Sequence, residues 1–113
     1  MSIEKRLHPR ILVNWHATLH NVQGPIEGET KDISVGGAFI FLSEKPKFGV
    51  NFPILLKPSE ERSISLVGKK IWSRTFNIDN RPVFGMGIKF MLISPEDRQF
   101  ISTLVKKESR GAP

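Results

Sequence analysis

Two arginines, Arg6 and Arg10, lie four residues apart in the N-terminal stretch RLHPR. Pro9 lacks an amide hydrogen and disfavours helical geometry at His8, so we expect an extended segment in which both arginines point to one side. A guanidinium group binds phosphate, or the O6 and N7 atoms of guanine, with a planar two-pronged fork, and it stacks on purine rings. The pair therefore suits a guanine nucleotide, and a solvated basic arm is the alternative.

A second polar stretch, DISVGG, begins at Asp32. The Asp32 carboxylate could accept hydrogen bonds from N1 and N2 of guanine, the edge that arginine does not read, and the Ser34 hydroxyl could serve a phosphate or a base. Gly36 and Gly37 permit positive φ angles and let backbone amides approach an anion. The same residues fit a tight turn in which Asp32 and Ser34 bond neighbouring amides. Together with the two arginines, the stretch predicts an anionic, guanine-bearing ligand held between an N-terminal arm and this loop.

The chain has 113 residues, enough for one domain with its own core. Its 17 basic and 11 acidic side chains give a formal charge of +6, which favours anionic partners such as nucleotides, nucleic acids or acidic lipid surfaces. The absence of cysteine excludes disulfides and thiolate metal sites. No apolar run approaches the roughly 20 residues of a membrane span, and the N-terminus lacks the apolar region of a secretory signal. We expect a soluble cytoplasmic protein without a membrane span.

Six segments of the sequence have the pattern of β-strands. In the first segment apolar and polar side chains alternate, as in a strand that is buried on one face. Turn residues separate the segments, and glycine or proline interrupts several of them, which is typical of a small closed or nearly closed antiparallel barrel. The predicted strands cover residues 11–20, 26–33, 38–42, 50–56, 64–74 and 83–90.

Glycine, proline and tryptophan give local expectations within these strands. Gly85 and Gly87 share one face of the last strand, so another part of the protein should pack closely against that face. Gly68 predicts a bend, and Pro53 predicts an edge or bulge position. Regular alternation places Trp72 on the same face as Gly68 and the apolar residues before it.

After Ser94 the spacing of apolar residues changes from the two-residue period of a strand to that of a helix. The stretch SPED provides an N-cap serine, a proline at the first helical position and an acid at the third. The residues that follow form an apolar stripe with helical spacing, so we expect a C-terminal helix that packs on the barrel. The stripe consists of Phe100, Ile101, Leu104 and Val105.

The two polar stretches together resemble the signature of the PilZ domain, a family of receptors for the bacterial second messenger cyclic di-GMP. Arg6 and Arg10 match the family's R-x-x-x-R motif. Asp32, Ser34 and Gly37 match its second motif, D/N-x-S-x-x-G. Further along, GKKIWSR, FGMGIKF and SPEDRQFISTL resemble the family's fifth strand, its glycine-containing strand and its terminal helix. The resemblance covers nearly the whole chain.

The resemblance implies a mainly β fold, a six-stranded antiparallel β-barrel with a C-terminal α-helix. It implies that cyclic di-GMP binds the outer surface of the barrel while an N-terminal arm, residues 1–10, folds over the ligand as a switch. The barrel and helix would occupy residues 11–109, followed by a tail at 110–113. It implies no catalysis and no cofactor, and an output through a downstream protein that the sequence does not identify.

The family motifs also imply roles for single residues. Arg6 and Arg10 would bind the Hoogsteen edge of guanine and phosphate. Asp32 would bind a Watson-Crick edge, and Ser34 and Gly37 would contribute loop contacts.

Three further residues belong to the expected site. Lys5 occupies the position that influences, in the family, whether one ligand or an intercalated pair is bound, and that number stays open here. Gly36 would serve the geometry of the loop. Trp72 either contacts a base, as an aromatic does in some family members, or belongs to the core or a covered face of the barrel.

Other functions fit parts of the sequence. A small basic barrel can bind single-stranded nucleic acid, but the phenylalanines fall mostly on apolar strand positions or in turns, so we expect neither a clustered aromatic platform nor a nucleic acid partner. A PilZ-type module that acts only through protein partners would not need the intact motifs. We expect no enzyme, because no catalytic motif is present and His16 and His20, on one strand, would lie about 13 Å apart, too far for one metal ion.

Overall fold

The computed structural model describes residues 9–45 and 51–111, and these residues form a β-barrel and one α-helix. The elements are β1 (Ile11–Leu12), β2 (His16–Asn21), β3 (Gly24–Ile33), β4 (Gly37–Leu42), β5 (Asn51–Lys57), β6 (Ile64–Ile78), β7 (Arg81–Ile93) and α1 (Pro95–Gly111). Six antiparallel strands close the barrel in the order β3-β2-β5-β6-β7-β4, because β4 pairs with both β7 and β3. The predicted fold, a six-stranded antiparallel barrel with a C-terminal helix, is confirmed.

The core lies inside the barrel and under α1. Ser94 caps α1, since its hydroxyl accepts a hydrogen bond of 3.1 Å from the amide of Asp97. Ile101 and Val105 of the predicted apolar stripe are buried in the core cluster. The helix continues through residues 110 and 111, the first half of the segment predicted as a tail. No helix in the described part of the chain is long and apolar enough to span a membrane.

The first predicted strand, residues 11–20, is interrupted at residues 13–15. The hydroxyl of Thr30 explains this interruption, because it donates to the carbonyl oxygen of Val13 at 2.6 Å and accepts from the amide of Trp15 at 2.8 Å. Thr30 is buried, so its side chain satisfies backbone groups that a continuous ladder would otherwise pair. Beyond the interruption the chain continues along the same edge of β3, where β1 pairs with the end of β3 and β2 with its earlier part.

A bulge in β3 turns Asp32 to the outside of the barrel. The register of β3 against β4 shifts between Thr30 and Asp32, which leaves Lys31 as an extra residue. Thr30 and Ile33 are both buried. Regular alternation from Thr30 would have placed Asp32 on the inner face, and the bulge reverses this alternation.

A bulge in β6 does the same for Trp72. The register of β6 against β7 shifts between Val67 and Gly68, at the residue where a bend was predicted, and again between Lys70 and Trp72. The second shift inserts Ile71 and places Trp72 on the outer face, where it is 42% exposed. The regular alternation that grouped Trp72 with Gly68 is therefore broken, and of the alternatives left open for Trp72 the barrel core is excluded.

Pro53 occupies a local edge of the sheet, as predicted. It pairs with Val67 of β6 on one side. On the other side β2 pairs with β5 only from Ile54 onwards, so no ladder bond is needed from the proline nitrogen there.

Candidate functional site

The short strand β1 brings Arg10 to Asp32. Arg10 directly precedes β1, whose first residue, Ile11, is buried in the core and pairs with Ile33. The Nη1 atom of Arg10 donates a charge-assisted hydrogen bond of 2.6 Å to Oδ1 of Asp32. The two side chains are 34% and 20% exposed, so solvent reaches both. The two polar stretches of the sequence thus meet on the outer surface of the barrel.

The other members of the predicted arm are Lys5 and Arg6, and both lie outside the described residues. The structure therefore places the second arginine of the predicted pair, and the position of the first stays a prediction.

Ser34 closes a tight turn after β3. Its amide donates to the carbonyl oxygen of Gly37 at 2.8 Å, and its hydroxyl donates to the same oxygen at 3.3 Å. Ser34 is 4% exposed, so the hydroxyl faces this turn and not the surface. A tight turn is therefore present, but the Ser34 hydroxyl bonds a carbonyl and Asp32 bonds Arg10, whereas the alternative had both side chains bond neighbouring amides. Ser34 shapes the loop from within.

Gly37 lies where two backbones approach closely, and Gly36 bonds the same neighbouring strand. Positive φ among the described glycines occurs at Gly24, so the expected use of positive φ in the glycine pair was wrong. A Cβ atom on Gly37 would lie 2.2 Å from the carbonyl oxygen of Ile88, and the carbonyl of Gly36 accepts a hydrogen bond of 2.9 Å from the amide of Phe90. The absence of a side chain at Gly37 lets the start of β4 lie directly against β7.

Aromatic side chains cover the outer face beside Asp32, and we call this group the outer aromatic cluster. The ring of Phe39 lies 5.0 Å from the ring of Trp72 and 5.0 Å from that of Phe41, measured between centroids. Asp32, Phe39, Gly87 and Trp72 are successive register partners across β3, β4, β7 and β6. The outer aromatic cluster consists of Phe39, Phe41, Trp72 and Phe76.

The glycine face of β7 makes room for the outer aromatic cluster. A Cβ atom on Gly87 would lie 2.2 Å from Nε1 of Trp72, and one on Gly85 would lie 2.7 Å from the ring of Phe76. The prediction that another part of the protein packs closely against these glycines is confirmed. The guanidinium carbon of Arg74 lies 5.9 Å from the centre of the Trp72 ring, within the range of a cation–π contact.

The sequence analysis missed this cluster. In the stretch AFIFL, the buried residues Ala38, Ile40 and Leu42 alternate with Phe39 and Phe41, which are half-buried on the other face. That alternation, opposite a strand with two glycines on one face, was the signal that could have revealed it. The expectation that the phenylalanines form no cluster was wrong.

One pocket of the described surface lies apart from the Arg10–Asp32 pair. It has a volume of about 280 Å³, opens at the far end of β4 beside Leu42 and Phe84, and is lined in part by the basic side chains of Lys70 and Arg74. Residues 9–45 and 51–111 contain no group of three or more histidines, cysteines or acids that could hold a metal ion.

Comparison with known families identifies the class of the protein. The family model of the PilZ domain matches residues 4–107. The chain therefore belongs to the PilZ domain family. No protein of curated function matches the sequence significantly.

Solved structures with the same fold come from bacteria. The inhibitor of motility MotI/DgrA of Bacillus subtilis aligns with a TM-score of 0.76 and 19% identity, over 96% of this chain and 53% of that one. The PilZ domain of YcgR from Escherichia coli with c-di-GMP aligns with a TM-score of 0.74 and 16% identity, over 95% and 93% of the two chains. The MrkH–c-di-GMP complex of K. pneumonia aligns with a TM-score of 0.76 and 16% identity, over 97% and 57%. The chain thus spans little more than half of the length of MotI/DgrA and MrkH.

Proposed function

We propose that this chain is a receptor for cyclic di-GMP, with Lys5, Arg6, Arg10, Asp32, Gly36, Gly37 and Trp72 forming its ligand site around the turn that Ser34 closes. The proposal depends on one observation: Arg10, Asp32 and the outer aromatic cluster share one face of the barrel. These groups supply a planar donor, an acceptor and a stacking surface, the three kinds of contact that guanine offers. Membership of the PilZ family and the presence of c-di-GMP in the YcgR and MrkH structures support the same ligand.

The ion pair between Arg10 and Asp32 is a favourable starting point for binding. Each side chain satisfies the other, and both are partly exposed. A partly exposed ion pair contributes only about 0–1 kcal/mol, whereas a hydrogen bond to a charged group contributes about 1.5–3 kcal/mol. Guanine can therefore replace or share the pair at little cost, and Arg10 is already positioned beside the carboxylate.

Trp72 would stack on a base of the ligand. Its indole is 42% exposed and lies on the outer face in the same row of register partners as Asp32. Stacking of a base on an aromatic side chain contributes about 1–3 kcal/mol. This interaction would add to the polar contacts of Arg10 and Asp32 without competing for the same atoms of the base.

Calorimetric titration with cyclic di-GMP tests the proposal. We expect the wild type to bind, and Arg10→Ala and Asp32→Asn each to weaken binding by at least about tenfold, because each leaves a hydrogen-bonding group of the ligand unpaired. Arg98→Ala is the matched control, since Arg98 is exposed on α1. A wild type that shows no binding would refute the proposal and favour a module that acts only through protein partners.

The N-terminal arm, residues 1–10, would act as the switch of this receptor. Ligand would give Arg6 an anionic partner and dock the rest of the arm next to Arg10, creating a new surface for a protein partner. Amide hydrogen exchange in residues 1–10 should slow when cyclic di-GMP is added. Unchanged exchange at saturating ligand would contradict the switch while leaving ligand binding itself intact.

A second candidate function is the binding of single-stranded nucleic acid. The outer aromatic cluster favours it, because Trp72 lies beside Arg74 on a protein of formal charge +6. Titration of a single-stranded oligonucleotide at two salt concentrations separates the candidates. A backbone binder should bind the oligonucleotide with an affinity that falls steeply with salt, and we expect cyclic di-GMP to bind more tightly than the oligonucleotide at both concentrations.

A further inference from the structure

Two lysines face each other on the outer surface of the barrel. Lys89 of β7 and Lys69 of β6 are direct register partners. Ile88 and Phe90, on either side of Lys89, are buried, and so is Gly68. Because side chains alternate along a strand, both lysines point outward, and both are exposed.

This lysine pair lies next to the predicted ligand site. Lys89 is the register partner of Gly37, and the amide of the residue after Lys89 bonds the carbonyl of Gly36 at 2.9 Å. Gly87, which lies under Trp72, precedes Lys89 by two residues, or about 7 Å along the strand. The lysine side chains therefore extend from a position between the turn at residues 34–37, which we call the glycine loop, and the exposed indole of Trp72.

The two like charges lack a compensating acid in the described structure. Like charges directly opposite each other in a sheet are destabilising. The ion pairs found within residues 9–45 and 51–111 use arginine or histidine as the cation, and none includes Lys69 or Lys89. The outer register partners on the two sides of the pair are Gly37 and Asn51, which carry no charge. Local destabilisation of this kind is typical of functional sites, and a bound anion would offset the repulsion between the two lysines.

We propose that Lys69 and Lys89 form a phosphate-binding pair for the phosphodiester of the cyclic dinucleotide that faces β6 and β7. This inference rests on the proposed function and adds residues outside both sequence motifs. Arg10 would contact the ligand from the β1 side of the glycine loop, and the lysines from the β7 side. An ammonium group is a compact point charge that suits phosphate, so the lysines supply affinity while Arg10 and Asp32 supply selectivity for guanine.

Calorimetric titration of lysine variants with cyclic di-GMP tests the inference. At about 50 mM salt, Lys89→Gln should weaken binding by about 3- to 10-fold, and a double variant with Lys69→Gln should weaken it further. The difference from wild type should shrink near 1 M salt, where the screening length is only about 3 Å. Lys57→Gln is the matched control, since Lys57 is an exposed strand lysine about 20 Å along β5 from Asn51.

Two further measurements separate phosphate binding from a structural role. Lys89→Arg should retain most of the affinity, because it keeps the positive charge. Without ligand, the double variant should resist urea at least as well as wild type, because the repulsion between the two lysines is gone. Wild-type affinity in the double variant, or weaker binding that salt does not affect, would overturn the inference alone. A wild type that does not bind cyclic di-GMP would overturn the proposed function and this inference with it.

Discussion

Gly87 lies beneath the indole of Trp72, and its replacement by alanine tests how the outer aromatic cluster is built. The new Cβ atom would lie 2.2 Å from Nε1 of Trp72, whereas ordinary van der Waals contacts of a Cβ begin at 3.4 Å. The ring would therefore have to move outward by about 1.2 Å, the difference between these two distances. Either the ring separates from β7 or the strand itself distorts.

The size of the effect follows from the covered area of the ring. A tryptophan side chain buries about 150–250 Å² when it is fully covered, so Trp72, at 42% exposure, covers on the order of 100 Å². At about 25 cal/mol per Å², this area corresponds to about 2.5 kcal/mol, of which half or more is lost when the ring moves away. Alanine recovers about 0.5–1 kcal/mol relative to glycine within a strand. We expect Gly87→Ala to lower the free energy of unfolding by about 0.3–2 kcal/mol, the difference between these two terms.

A double-mutant cycle with Trp72→Ala isolates this contact. The three atoms nearest the new methyl group all belong to the indole. Without the indole, Gly87→Ala should therefore raise the free energy of unfolding by about 0.5–1 kcal/mol. Urea unfolding followed by far-ultraviolet circular dichroism measures all four proteins without relying on tryptophan emission. Equal effects of Gly87→Ala in both backgrounds would show that Trp72 is not the reason for the glycine and would refute the reasoning.

Two further substitutions test the backbone contacts that support the site, and urea unfolding measures the change in the free energy of unfolding for both. Gly37→Ala should lower the free energy of unfolding by about 2–4 kcal/mol, because the new Cβ would meet the backbone oxygen of Ile88 at 2.2 Å. If adding Trp72→Ala to this variant restored the lost stability, the explanation would be contradicted. Thr30→Val should lower it by about 2–4 kcal/mol, because two buried backbone groups lose their partner, whereas Thr18→Val, which removes an exposed hydroxyl, should change it by less than about 0.5 kcal/mol. Similar effects of the two threonine substitutions would show that burial of the hydroxyl is not the cause.

The spacing of apolar residues and the types of residue in the turns were sufficient to predict most of the fold. The alternation of apolar and polar residues identified the strands, and Ser94 with the proline after it identified the start of the helix. The meeting of Arg10 with Asp32 was also predictable, because both belong to motifs whose chemistry is useful only when they are close together. These features depend on local sequence or on complementary charge, and both are visible without coordinates.

The bulges and the glycine pair could not be read from the sequence. The extra residues Lys31 and Ile71 are not glycine or proline, so nothing in their type marks a bulge. Each bulge depends on how one strand pairs with another that is distant in the chain, and each reverses the face of the residues that follow. Gly37, which the sequence analysis assigned to the loop, is the first residue of β4, and its limiting contact is with Ile88, on a strand about fifty residues later. Regular alternation therefore indicated the wrong face of the sheet for Trp72, because the pairing of β6 with β7, and not simple alternation, decides which face this residue occupies.

The unequal exposure of the two tryptophans gives the protein a built-in optical label. Trp15 is buried beneath α1, with its ring 6.2 Å from that of Phe100, whereas Trp72 is open to solvent beside Arg74. An anionic quencher such as iodide should reach the outer indole and spare the inner one, because the surrounding cations concentrate it there. Emission from the unmodified chain can thus follow events on the outer face and in the core as two distinct signals.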